Sequence, residues 1–201
     1  MDFSTLDTEL LIWINQSWGH PWLDTLFSWL SAKLSFSFPL IAIVCLYFGL
    51  RFGHDGWKFS AIFILFIVFS DGFGNLLKHL FDQARPCLEL ANQLRGLGGA
   101  SFGACEESST GMPSNHALNF FAAFTFLSLL IPKKAWIVFL FTIAFSVGVS
   151  RIYLAAHFPS QVIAGILFGA MIGSTAGSLM IRRWEFLKNI QSRLKISGAV
   201  Y

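Results

Sequence analysis

Charge is what this sequence has least of. Only 12% of its residues are Asp, Glu, Lys or Arg while 55% are hydrophobic, against about 25% charged in an average soluble domain. That imbalance excludes a water-solvated globule and places the chain in a bilayer. The net charge of +3 is too small to call for nucleic acid as a partner. Linkers, low-complexity tracts and internal repeats are missing as well, so residues 1–201 are expected to form a single membrane-embedded domain. The N-terminus has no basic stretch ahead of an apolar run and carries Asp2, Asp7 and Glu9 instead, so no cleaved leader is expected. Cysteine is scarce: Cys45 sits in an apolar stretch, and Cys87 and Cys105 share one loop. For that pair two readings stay open, a bridge in an oxidising compartment and two free thiols.

Long apolar runs are what the sequence does have. A helix needs about 20 residues to cross the hydrocarbon core, and five stretches qualify approximately: Leu34 to Leu50, Trp57 to Leu77, Ser114 to Ile131, Ala135 to Arg151 and Gln161 to Ile181. The predicted fold is an all-α, polytopic transmembrane bundle of about five spans. The first thirty residues scatter Trp13, Trp18, Trp22 and Trp29 among Asn15, Gln16 and Asp24, which reads as an interfacial helical segment, with a sixth span as the alternative. Arg51, Lys58, Lys133, Lys134, Arg182, Arg183, Lys188, Arg193 and Lys195 all fall on one side of such a bundle. By the bias of basic residues towards the cytoplasm, that side is the inner one, with Trp57, Trp136 and Trp184 as its interfacial anchors.

The opposite side collects the chemistry. Lys78 and Arg85-Pro86 follow the second span, Pro113-Ser114-Asn115-His116 open the third, Ser150-Arg151 close the fourth, and His157 precedes the fifth. Ionisable groups are costly at membrane depth and mark functional sites there. Basic and imidazole groups gathered at one end suit a phosphate. A site on this face opens to the periplasm or exterior of a bacterial cytoplasmic membrane.

These motifs, Lys78-x6-Arg85-Pro86, Pro113-Ser114-Asn115-His116 and Ser150-Arg151-x5-His157, resemble the three-part signature of the type-2 phosphatidic acid phosphatase superfamily over residues from about 70 to 170. Two positions depart from its pattern. Asn115 stands where Gly is usual, and Gln161 where an Asp four residues after the histidine is usual. The Gln resembles the glucose-6-phosphatase branch. The resemblance implies that His157 is the nucleophile forming a phosphohistidine, that His116 protonates the leaving group, and that Gln161 orients His157. It implies that Lys78, Arg85, Ser114, Asn115 and Arg151 bind the phosphate, with no metal and no cofactor, because cationic side chains do the charge stabilisation.

The expected substrate is a lipid phosphate or pyrophosphate, undecaprenyl pyrophosphate first, with phosphatidylglycerophosphate, phosphatidic acid and a lipid A phosphate as competitors. A sugar-phosphate phosphatase, a lipid phosphotransferase and a silent lipid-phosphate binder or transporter are the other readings. Gly165, Gly169, Gly173 and Gly177 make a smooth ridge along the last span, which predicts close helix packing, with a homodimer contact as the competing use. Gln161 continues that ridge, and a helix extended back by one turn would put His157 above it. Asp71 and Asn75 share a helix face with Lys78 and are expected to act as polar packing, with support of the site as the alternative. The Gly-rich loop from Pro86 to Gly111, with Glu89, Glu106 and Glu107, is the expected cover of the pocket.

Overall fold

The computed structural model describes residues 2–95 and 110–196. Most of the loop expected to cover the pocket, including Cys105, Glu106 and Glu107, lies outside them; Cys87 is buried at its start. Two short helices, α1 (Phe3–Ser17) and α2 (Pro21–Ser31), come first. Pro21 starts α2 with a preset φ, and the His20 Nδ1 accepts the Trp22 N–H at 3.2 Å to cap it. At 15 and 11 residues neither reaches the length needed to cross a bilayer.

A single π-helical turn, Lys33–Ser37, runs into α3 (Phe38–Phe52), so the first apolar helical stretch is 20 residues long. Gly53, at a φ of +61°, reverses the chain directly into α4 (His54–Phe81). Its 28 residues make a rod of about 42 Å at 1.5 Å per residue, longer than the roughly 30 Å hydrocarbon core. Lys78 therefore sits near an end that outreaches the core. The short α5 (Pro86–Glu89) follows, then α6 (Asn115–Leu130), α7 (Lys134–Tyr153), α8 (Pro159–Arg183) and α9 (Glu185–Ile196). Four stretches are long and apolar enough to span, and α6 is a shorter apolar helix. The chain is a transmembrane helical protein, as its sequence predicts, with five such apolar helices among the described residues.

The glycine ridge of α8 packs against α6. A Cβ on Gly165 would stand 2.6 Å from the Ser114 carbonyl oxygen, and one on Gly169 or Gly173 would overlap the carbonyls of Leu118 and Ala122. Only hydrogen at those positions lets the two backbones approach so closely. The contact is within the chain, not between copies of it. At the end away from the motifs, Phe48, Phe59, Phe63, Phe66, Phe126 and Leu130 form the main apolar core. Helix α9 seals it with Leu187, Ile190 and Leu194, and Gln191 Nε2 donates to the Leu129 carbonyl at 2.7 Å.

Candidate active site

The three motifs converge at the opposite end, around a cavity of about 880 Å³ bordered by Lys78, Arg85, Asn115, His116, Arg151 and His157. Each arrives for a local reason. Lys78 lies one turn before the end of α4, where Asp82 takes a left-handed conformation (φ 41°) and turns the chain back. Residues 83–85 then pair with 110–111: Ala84 bridges Thr110, and the Gly111 N–H donates to the Gln83 carbonyl at 2.6 Å. Lys78 Nζ and Arg85 Nε both donate to the Thr110 carbonyl, at 3.0 and 3.2 Å. Ser114 is the N-cap residue of α6, its hydroxyl fully buried and without a hydrogen-bond partner among the described residues. The Ser114 N–H donates to the Gln161 carbonyl at 3.0 Å. The free N–H groups of this first turn are the usual place for an anion.

His157 is held from both sides. The loop from α7 to α8 is short, and the N–H groups of Ala156 and His157 both donate to the Arg151 carbonyl, at 3.0 and 3.2 Å. Pro159 at the first position of α8 ends the helix backward of it, so His157 lies just outside the helix instead of one turn up its ridge. It still reaches Gln161: Nδ1 is 3.1 Å from Oε1. The same Oε1 accepts the Phe158 N–H at 3.3 Å, and Nε2 donates to the Ala84 carbonyl at 2.8 Å. Those two backbone groups decide which end of the amide is oxygen. Nδ1 must then carry the proton, and Nε2 presents a lone pair, 3.5 Å from the Arg85 Nη1. Burial, and then the charges of Arg151, Arg85 and Lys78, push the imidazole well below its ordinary 6.5, with the Gln161 bond opposing. The result is a neutral ring beside three cations.

His116 is tied differently. A ring nitrogen, Nε2, lies 3.0 Å from the Ser31 carbonyl at the end of α2. Because a carbonyl only accepts, Nε2 carries a proton and Nδ1 is the nitrogen left for exchange with a ligand. Below it, Asn115 Nδ2 donates to Asn75 Oδ1 at 2.7 Å, and Asn119 Nδ2 to Asp71 Oδ1 at 2.8 Å.

Several site contacts were not legible in the motifs. Asp7 accepts the Ser160 N–H at 2.8 Å and the Ser160 hydroxyl, capping α8 three residues after His157. Asn15 Nδ2 donates to the Tyr153 carbonyl at 2.9 Å. Arg95 makes a two-pronged pair with Asp24, at 3.0 and 2.7 Å, which holds that carboxyl below its ordinary value. Together with Ser31, these make the N-terminal helices a brace across the second and third motifs. Lys33, set apart from the site by its sequence position, borders the cavity too. Among the described residues no three His, Cys, Asp or Glu side chains group as a metal site would require.

Residues 57–185 match the PAP2 superfamily. The chain belongs to that superfamily. This PAP2 chain is 30% identical over 181 residues to a lipid A 4′-phosphatase of Bacteroides thetaiotaomicron, covering 85% of this chain and 75% of that one. It is 25% identical over 162 residues to phosphatidylglycerophosphatase B of Bacillus subtilis, covering 76% and 72%. Its fold matches the crystal structure of a transmembrane PAP2-type phosphatidylglycerolphosphate phosphatase from Bacillus subtilis with a TM-score of 0.71, at 21% identity and over 92% and 90% of the two chains.

Proposed function

We propose that this chain is a membrane phosphatase that removes a phosphoryl group from a lipid phosphate or pyrophosphate through a covalent intermediate on His157. The observation that carries the reading is the His157 Nε2 lone pair, fixed by Gln161 and bordering one cavity with Lys78, Arg85 and Arg151. Phosphoryl transfer needs fixed positive charge on the equatorial oxygens and an in-line nucleophile. The two arginines offer forked donors and Lys78 a point charge. Ser114 Oγ and the first amides of α6 complete the cradle.

His157 Nε2 attacks phosphorus; the P–N bond forms as the bond to the leaving oxygen breaks. His116 Nδ1 takes up the proton that the phosphate brings as its monoanion and passes it to that oxygen. In the second half, water attacks phosphorus, its proton returns to His116, and the P–N bond breaks to regenerate a neutral His157 and release phosphate. Gln161 accepts the Nδ1 hydrogen throughout without adding charge. The cationic side chains supply the charge neutralisation, so the reaction proceeds without a metal.

The basic residues at the far end support a site facing the periplasm across a bacterial inner membrane. Undecaprenyl pyrophosphate is the substrate the sequence puts first. The 30% identity to a lipid A 4′-phosphatase over most of both chains supports a phosphorylated glycolipid as the second reading.

The test is to trap the intermediate: detergent-solubilised protein, ³²P-labelled lipid phosphate and EDTA, with an alkaline or acid quench. Acid-labile, base-stable label on the wild type, absent from His157→Ala, is the expected result. Phosphate release without such label, or release by His157→Ala, would overturn the mechanism.

A further inference from the structure

The same cavity holds a second polar station, and it draws in Asn115, expected from the resemblance to bind the phosphate, whose Nδ2 donates to Asn75 Oδ1 at 2.7 Å instead. Asp71 and Asn75 from α4 meet Asn115 and Asn119 from α6, and all four border the cavity. Asp71 precedes Lys78 by two helical turns on the same face, about 10 Å deeper along the axis at 1.5 Å per residue. Beyond it the walls turn apolar, with Ile41, Val44, Ile67 and Leu127. A lipid whose phosphate sits among Lys78, Arg85 and Arg151 would lay the atoms next to the phosphate against this cluster and its chain along the apolar wall.

The cluster's bonding leaves capacity for a ligand. Asp71 Oδ1 takes Asn119 Nδ2 at 2.8 Å, but its other oxygen has only a long contact, 3.4 Å, from Asn75 Nδ2. Asn115 Nδ2 is shared between Asn75 Oδ1 at 2.7 Å and Asp71 at 3.4 Å. Asn75 remains exposed, and an amide exposed at this depth is costly unless something polar meets it. A staple between α4 and α6 requires only the Asp71–Asn119 bond; it does not require Asn75. Close packing also shapes the station, because a Cβ on Gly74 would stand 2.5 Å from Asn115 Oδ1.

We infer that Asp71, Asn75, Asn115 and Asn119 form a headgroup subsite for hydroxyl or amide groups adjacent to the phosphate. The inference rests on the proposed phosphatase reading and sharpens it. A carboxylate accepts from hydroxyl and amide N–H groups, and carboxamides both donate and accept. A glycosyl or glyceryl headgroup offers such groups, where a polyprenyl pyrophosphate offers a second phosphate, which the Asp71 carboxylate repels, and then only hydrocarbon. The subsite therefore ranks a headgroup-bearing lipid above undecaprenyl pyrophosphate.

The experiment measures kcat/KM of wild type, Asp71→Asn and Asn75→Ala in detergent. Its substrates are a phosphorylated glucosamine disaccharide lipid, phosphatidylglycerophosphate and undecaprenyl pyrophosphate. The readout is the ratio of each headgroup lipid to the polyprenyl lipid, which cancels losses in folding or in the common phosphate chemistry. Losing hydrogen bonds to a charged or amide partner should lower that ratio about tenfold. The arm that falls further tells a sugar from a glycerol. An unchanged ratio, whether the variants slow all lipids equally or none, would assign the cluster to helix packing and overturn the subsite while leaving the phosphatase intact. Failure of the wild type to release His157-dependent phosphate from any of the three would overturn the phosphatase reading itself.

Discussion

The two ends of this bundle are held by different physics. At the end sealed by α9, Phe126 contacts Phe59, Phe63 and Phe66 with ring centroids 6.3, 6.1 and 5.1 Å apart, and stability comes from filled volume. At the site end, the buried groups are Lys78, Arg85, Ser114, Arg151, His157 and Gln161, and order comes from directed hydrogen bonds. Volume can be refilled by a neighbouring side chain, at a cost near 1 kcal/mol for a conservative swap. A directed bond has one geometry, and its loss leaves a buried polar group without a partner. The same helix, α6, runs from one regime to the other, with Ser114 at its start and Phe126 inside the aromatic core.

The comparison is broken most sharply at Gln161, where one amide serves three groups. Gln161→Leu removes the acceptor for His157 Nδ1 and Phe158 N–H and the donor to the Ala84 carbonyl, and kcat/KM is expected to fall about 100-fold or more, as for other groups that orient a reacting histidine. Gln161→Asp keeps an acceptor but adds charge, so turnover should stay within about tenfold while its pH profile moves. In the wild type the neutral imidazole is the reactive form and burial beside three cations depresses its pKa. The acid limb of kcat/KM therefore lies well below pH 6.5, and a carboxylate at 161, by favouring the imidazolium, should shift it upward. A profile that does not move, or a Leu variant with normal turnover, would detach Gln161 from His157.

A smaller effect is expected at Asp7, which caps α8 from 153 residues away. Asp7→Ala should cost about 1 kcal/mol of local order, read as a roughly fivefold loss in kcat for all substrates. Loss of thermal stability with kcat unchanged would make the N-terminal brace structural only.

Which contacts were legible follows from their separation along the chain. Within each motif the residues are close in sequence, and each motif sits at the end of an apolar run, so spacing and side of the membrane sufficed to bring Lys78, Arg85, Ser114, His116, Arg151 and His157 together. The partners of the brace are 71 to 153 residues apart, and nothing local ties Asp7 to Ser160. Asn119 was within reach: it follows Asn115 by one helical turn in a mostly apolar helix, a polar stripe facing a cavity. The buried face of α9 also had a signal in Leu187, Ile190 and Leu194, spaced three and four apart, overshadowed by the basic residues between them. Pro159 explains the remaining difference, since the helix that was to carry His157 above the glycine ridge cannot extend back through it.

The smallest effect on catalysis should come from the aromatic core. Phe126 is fully buried and borders no part of the cavity, so Phe126→Leu removes ring contacts worth about 1 kcal/mol without touching a hydrogen bond at the site. A thermal midpoint in detergent lower by about 2–4 °C, with kcat/KM per folded molecule unchanged, is the expected outcome. Loss of activity larger than twofold in the folded fraction would mean that α6 transmits packing changes from Phe126 to Ser114 and His116. The tight α6–α8 seam argues against this, because Gly165 and Gly169 register the start of α6 on α8 independently of the aromatic cluster below. Replacing Gly169 with Ala alongside Phe126→Leu tests that independence: additive losses of stability keep the two ends separate, and a coupling energy above about 0.5 kcal/mol joins them.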